Sequence, residues 1–141
     1  MNINTYIWFN ESCLEAFEYY KTVFGGEFKS LMTYRDGPED LPVAEEDLDR
    51  IMHVSLPIGS SVLMGSDSCS SLGPPRVMGN NFSLCFEADN TEHADDIYRK
   101  LSSGGKVIYP MEDAFWGAYY GKLTDKFGIN WDIIFSYHQE Q

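Results

Sequence analysis

Ser12-Cys13-Leu14-Glu15-Ala16-Phe17-Glu18-Tyr19-Tyr20-Lys21-Thr22-Val23-Phe24-Gly25-Gly26 sets apolar side chains at Cys13, Ala16, Phe17, Tyr20 and Phe24. That spacing is the buried stripe of an amphipathic helix, and the glycine pair supplies its stop. The stripe comes back further along the chain: a shift of 78 positions carries Ala16 onto Ala94, Tyr20 onto Tyr98 and Val23 onto Leu101. Ala94, Ile97, Tyr98 and Leu101 therefore predict a second helix, started by Asp89-Asn90-Thr91 and ended near Gly104-Gly105. Such internal similarity predicts two like modules rather than one irregular α+β chain.

The flanks of both helices carry the same pattern. Ile3 to Phe9, β-branched and aromatic, predicts a strand running into the helix start Asn10-Glu11-Ser12. Phe28 to Arg35 predicts the next strand, broken by Asp36-Gly37-Pro38. The acidic run Glu39 to Asp49 reads as a solvated loop or one short helical turn. Strands at Ile51 to Pro57 and Ser61 to Ser66, joined by a turn at Ile58-Gly59-Ser60, complete β-α-β-β-β. The Ser-, Gly- and Pro-rich stretch from Asp67 to Gly79 reads as a linker. Asn81 to Ala88 then opens the second module, and Lys106 to Tyr109, Phe115 to Leu123 and Asn130 to Phe135 supply its other strands. The expected fold class is α+β, two tandem β-α-β-β-β modules. Module one covers about 1–67, the linker about 68–79 and module two about 80–137. Either module alone would leave an apolar sheet face uncovered, which predicts a single domain over residues 1–141.

Composition narrows the class of function. The 141 residues are 43% hydrophobic and 15% aromatic, enough for one sizeable core. A net charge of -12 opposes a phosphate backbone and an anionic membrane surface alike, so neither nucleic acid nor membrane is an expected partner. No stretch nears a spanning length, and Met1 to Thr5 lacks a secretory n-region, which predicts a cytoplasmic protein. Cys13, Cys69 and Cys85, an odd number in no C-x-x-C spacing, read as reduced thiols.

Phe17 to Gly26, Leu63-Met64-Gly65-Ser66-Asp67, Phe115-Trp116-Gly117 and Asp125-Lys126-Phe127-Gly128-Ile129-Asn130-Trp131 together resemble the PhnB-like branch of the vicinal oxygen chelate (glyoxalase/bleomycin resistance/dioxygenase) superfamily, over nearly the whole chain. The family usually has Asp-Pro-Phe-Gly at Asp125 to Gly128, a departure confined to a turn. The resemblance implies sheets curved around a cavity and a homodimer. It implies no single reaction, because the superfamily holds metal-dependent lyases, dioxygenases and drug-sequestering proteins. PhnB-like sequences also carry a methyltransferase label, yet no glycine-rich nucleotide loop is present. The superfamily's metal ligands lie on the first and last strand of each module. Carried over, those positions fall on Asn4, the stretch Leu63 to Gly65, Ser83 and Asp132, of which Asp132 alone is a usual ligand. No metal and no other cofactor is therefore expected. His53 lies on a strand and faces either the cavity or the core; His93 and His138 read as exposed.

Strand alternation gives the candidate ligand-binding residues. Tyr6 and Trp8 oppose Ile7 and Phe9, Ser83 and Cys85 oppose Leu84 and Phe86, and Asp132 opposes Trp131 and Ile133. With His53 and the aromatic segment bearing Trp116 and Tyr119, they outline a mixed pocket for a small organic molecule. The aromatic residues also suit a core or a dimer contact, and Phe115 to Gly121 suits an edge strand as well as a pocket rim. No Ser-His-Asp or Cys-His spacing appears, and the catalytic residues are unassigned. The leading expectation is a metal-free small-molecule-binding protein of the PhnB-like type. A metal-dependent lyase or dioxygenase and a drug-sequestering resistance protein are the alternatives.

Overall fold

The computed structural model describes residues 1–137. His138 lies outside the described residues. Two compact units divide the chain between Val77 and Met78.

In the first unit, β1 (Thr5–Phe9), α1 (Cys13–Phe24), β2 (Ser30–Thr33), β3 (Ile51–Ile58) and β4 (Ser61–Asp67) follow one another. The sheet has the order β1-β4-β3-β2, with β1 parallel to β4 and the other pairs antiparallel. Cys13, Ala16, Phe17, Tyr20 and Val23 form the buried stripe of α1. Phe17 lies edge-on to Phe9 and Tyr20, at centroid separations of 6.2 and 5.6 Å. Gly65 makes that possible, since a Cβ there would stand 2.6 Å from Phe17 Cε1. Gly65→Ala should therefore force a repacking that costs about 1–3 kcal/mol in urea unfolding; an unchanged midpoint would show that Phe17 yields freely.

The start of α1 is built differently from expectation. Ser12 makes no side-chain cap. Asp67, at the end of β4, takes the Cys13 N–H at 2.9 Å on one oxygen and the Ile51 N–H at 2.9 Å on the other. One buried carboxylate thus fastens helix to sheet across 54 residues of sequence. Burial pushes its pKa up, against the pull of those two N–H groups and of Arg50.

The second unit repeats the topology with β5 (Leu84–Glu87), α2 (Thr91–Ser102), β6 (Lys106–Ala114), β7 (Ala118–Thr124) and β8 (Asn130–Ser136), in the order β5-β8-β7-β6. Ala94, Ile97, Tyr98 and Leu101 are buried, and Asn90 caps α2 by accepting the His93 N–H at 2.7 Å. The Tyr98 hydroxyl donates to the Tyr109 and Lys122 carbonyls.

Several bounds differ from the expected ones. β2 is shortened by a 3-10 turn at Tyr34–Asp36. β5 starts at Leu84, leaving Phe82 exposed. β6 runs through Pro110 to Ala114, which a lone edge strand with a shifted register allows because the missing N–H faces no partner. Phe115-Trp116-Gly117 forms the turn before β7 rather than its first residues, with Gly117 at φ +88. The acidic run does contain one short turn, Glu45–Asp47, but Asp47 is buried against Arg50 rather than solvated.

Candidate functional site

In the first unit, β1 sends Ile7 and Phe9 under α1 and leaves Tyr6 and Trp8 on the other face, 36% and 44% exposed. Tyr6 and Trp8 stand in register with Met64 and Ser66 of β4. A row of flat groups follows. Tyr6 lies 5.8 Å from the His53 ring, with its hydroxyl 3.2 Å from Nδ1, and 5.0 Å from Trp8; the Arg76 guanidinium covers Trp8 at 4.3 Å. The expected grouping of Tyr6, Trp8 and His53 is thus present on one sheet face.

At the end of this row lies a cavity of about 270 Å³ bounded by Trp8, Tyr34, Met52, Cys69, Leu72 and Arg76, among others. Its outer wall is the stretch expected to be a linker. Asn10 holds that wall in place: its Oδ1 accepts the Arg76 N–H at 2.8 Å and the Ser68 hydroxyl at 3.0 Å, while its Nδ2 donates to the Arg76 carbonyl at 3.1 Å. The Tyr34 hydroxyl donates to the Asp67 carbonyl at 2.6 Å. Burial, with the neighbouring Cys69 and Asp67, pushes its pKa up to about 12, so it stays a phenol.

In the second unit, β8 buries Trp131 and Ile133 and turns Asp132 to the open face, beside Cys85 on β5 and Lys122 on β7. Ser83 donates to Asp132 Oδ2; Tyr120 and Lys122 both donate to Oδ1, at 2.7 and 3.3 Å. Burial alone would raise the Asp132 pKa, but the hydrogen bonds from Ser83 and Tyr120 and the Lys122 charge outweigh it and hold it below the usual carboxylate value. With the folded pKa depressed, this cluster stabilises the fold above the unfolded carboxylate pKa of about 3.9, and the contribution is lost as pH falls through the folded value. Urea unfolding carried from about pH 5 towards pH 2 should accordingly show wild type losing its advantage over Asp132→Asn; parallel pH curves would contradict the assignment.

Trp116 leans on Tyr120 at 5.8 Å and so joins this group. Cys85 is exposed beside Asp132, and desolvation together with the Asp132 and Glu87 charges pushes its thiol up, away from nucleophilic use. Tyr119 corrects the expected set: it faces α2, where its hydroxyl donates to Asp95 Oδ1 at 2.6 Å, a bond that pushes its pKa up to about 12. Two residues apart on β7, it is Tyr120 that shares a face with Lys122. Tyr34, Lys122 and Arg76 join these groups without having been expected there, and Tyr120 was expected only as part of the rim Phe115 to Gly121.

The four positions implied for a divalent metal do not fit one. Asn4 Oδ1 is engaged by the Val62 N–H at 3.3 Å. Gly65 sits under α1 against Phe17, and Met64 is the stretch's open-face residue. Ser83 donates to Asp132, whose oxygens already take three donors. Among the described residues no three His, Cys, Asp or Glu side chains form a metal-holding group. Nor does either strand-to-helix turn cradle a phosphate: the first N-terminus is taken by Asp67 and the second by Asn90. No helix among the described residues is long and apolar enough to cross a membrane.

Residues 1–134 match the family described as 3-demethylubiquinone-9 3-methyltransferase. Protein PA1353 from Pseudomonas aeruginosa is 32% identical, with a TM-score of 0.86 over 96% of this chain and 98% of that one. The putative 3-demethylubiquinone-9 3-methyltransferase, PhnB protein, from Bacillus cereus is 21% identical, with a TM-score of 0.77 over 96% and 100%. A glyoxalase/bleomycin resistance protein/dioxygenase family enzyme from Burkholderia phytofirmans PsJN shares the fold at 16% identity, with a TM-score of 0.60 over 94% and 97%. The repeated β-α-β-β-β topology and the match over nearly all its length agree: the chain belongs to the 3-demethylubiquinone-9 3-methyltransferase family and has the fold of the PhnB protein and of the glyoxalase/bleomycin resistance protein/dioxygenase family enzyme.

Proposed function

We propose that this chain is a small-molecule-binding protein that works without the superfamily's divalent metal, as a cytoplasmic homodimer. The observation that carries the reading is the state of Asp132, the one carboxylate at an inherited ligand position: Lys122 supplies the positive charge there, and Ser83 and Tyr120 donate to its two oxygens. A metal there would compete with these donors and face the Lys122 charge. The aromatic row His53-Tyr6-Trp8 and the adjoining cavity support an organic ligand, since flat apolar walls with a few placed polar groups are what such ligands need. Ser66 adds to this, its hydroxyl buried at the position paired with Trp8 and without a partner among the described residues. Methyl transfer, the activity in the family's description, has no support in the strand-to-helix turns.

Thermal unfolding tests the reading, because a ligand that binds only the folded state raises the midpoint. Zinc, manganese, iron(II) and nickel salts, and a chelator, should leave the midpoint unchanged, while members of a small organic library raise it. A midpoint raised by one of these ions and restored by the chelator would favour a metal-dependent lyase or dioxygenase instead.

A further inference from the structure

The cavity of the first unit contains a feature that its surroundings make unusual. Carboxylates outnumber cations, 22 to 10, and three of the four arginines are paired accordingly: Arg35 with Asp49, Arg50 with Asp47 and Glu11, and Arg99 with Asp96. Arg76 pairs with no carboxylate among the described residues, and no acidic side chain lines the cavity beside it. It is also held in place. Asn10 grips its backbone at both the N–H and the carbonyl, and Trp8 covers one face of its guanidinium. A stacked guanidinium keeps its edge N–H groups free for a planar acceptor, the arrangement that suits a bidentate carboxylate.

We propose that this cavity binds a small organic monocarboxylate, its carboxylate on Arg76 and its apolar body against Leu41, Met52 and Leu72. The assignment rests on the small-molecule reading above and names the ligand class for it. At about 270 Å³ the space lies just below the usual range for drug-sized ligands, so the body is no larger than one ring with a short arm. The net charge of -12 opposes a second negative charge on the ligand, which separates a monoanion from polyphosphates and dicarboxylates. The same arginine makes this cavity a poor receptor for a cationic drug.

The test is to titrate the protein with phenylacetate, phenylacetamide and phenylmalonate while following the Trp8 indole N–H resonance by NMR, assigned with Trp8→Phe. Phenylacetate should saturate the shift with an affinity about tenfold above the amide, the scale of one charge-assisted hydrogen-bonded contact, with phenylmalonate weaker than phenylacetate. Arg76→Met, which keeps the methylene packing on Trp8, should bring phenylacetate down to the level of the amide and leave the amide unchanged. Arg76→Lys should recover part of the difference. Equal affinities for acid and amide, or indifference of phenylacetate to Arg76→Met, would overturn the carboxylate assignment while leaving an organic-ligand cavity standing. A silent Trp8 resonance with all three probes would overturn it too, and the thermal-shift library would then judge the broader reading separately.

Discussion

Asp67→Ala is expected to remove about 4 kcal/mol of stability, the largest loss of any single substitution outside the apolar core. The side chain is 2% exposed, and its removal strands the Cys13 and Ile51 N–H groups where water does not reach them. Each stranded buried donor costs about 1–3 kcal/mol. The loss comes from those donors rather than from a missing charge, because burial already pushes the Asp67 pKa up and makes the ion itself costly. Asp67→Asn retains one acceptor oxygen but points an NH₂ at an N–H, so it should recover less than half of the loss. Urea unfolding of the three proteins gives the ranking; a deficit below about 1 kcal/mol for Asp67→Ala would mean that α1 does not depend on this fastening.

Asp125→Ala is expected to cost about 3 kcal/mol in the second unit. Asp125 is 3% exposed; its Oδ1 accepts the Phe127 and Ile129 N–H groups at 2.8 and 3.0 Å, and its Oδ2 accepts the Trp131 indole N–H at 2.9 Å. Three donors would lose their acceptor, but the two backbone groups belong to a turn that water can partly reach, which keeps the cost below that of Asp67→Ala. Asp125→Asn separates the contributions. An amide oxygen can still serve both backbone groups, so only the indole's bond to Asp125 is lost, and the cost should fall to about 1–2 kcal/mol with a change in the Trp131 emission. Equal losses for the Ala and Asn variants would show that the indole bond carries the whole effect.

These two aspartates also mark where sequence reading stops. The helices were legible because a 3.6-residue stripe is a local signal, and its return after 78 positions named the topology before any contact was known. The Asp125 turn was legible as a turn for the same reason. Asp67 was not, since its partners Cys13 and Ile51 lie 54 and 16 residues away and no pattern near Asp67 announces them. Side-chain parity placed Tyr6, Trp8, Ser83, Cys85 and Asp132 on the open faces; Tyr119 was chosen from its aromatic segment without that test, and it faces α2. The segment expected to start β7 is a glycine turn up to Gly117. Counting back from Lys122, which faces Asp132 across the β7–β8 ladder, would have chosen Tyr120. Arg76 escaped because Gly- and Pro-rich sequence signals irregular backbone without saying what that backbone covers.

In the proposed metal-free protein, Ser83, Tyr120 and Lys122 hold Asp132 where a metal would otherwise bind. Elemental mass spectrometry of untagged protein, before and after incubation with divalent ions and read alongside the native mass, tests this directly. Metal should lie far below one equivalent per chain in both samples, on a particle of twice the chain mass. Close to one tightly held metal per chain would contradict it and make the metal-dependent lyase or dioxygenase the leading reading.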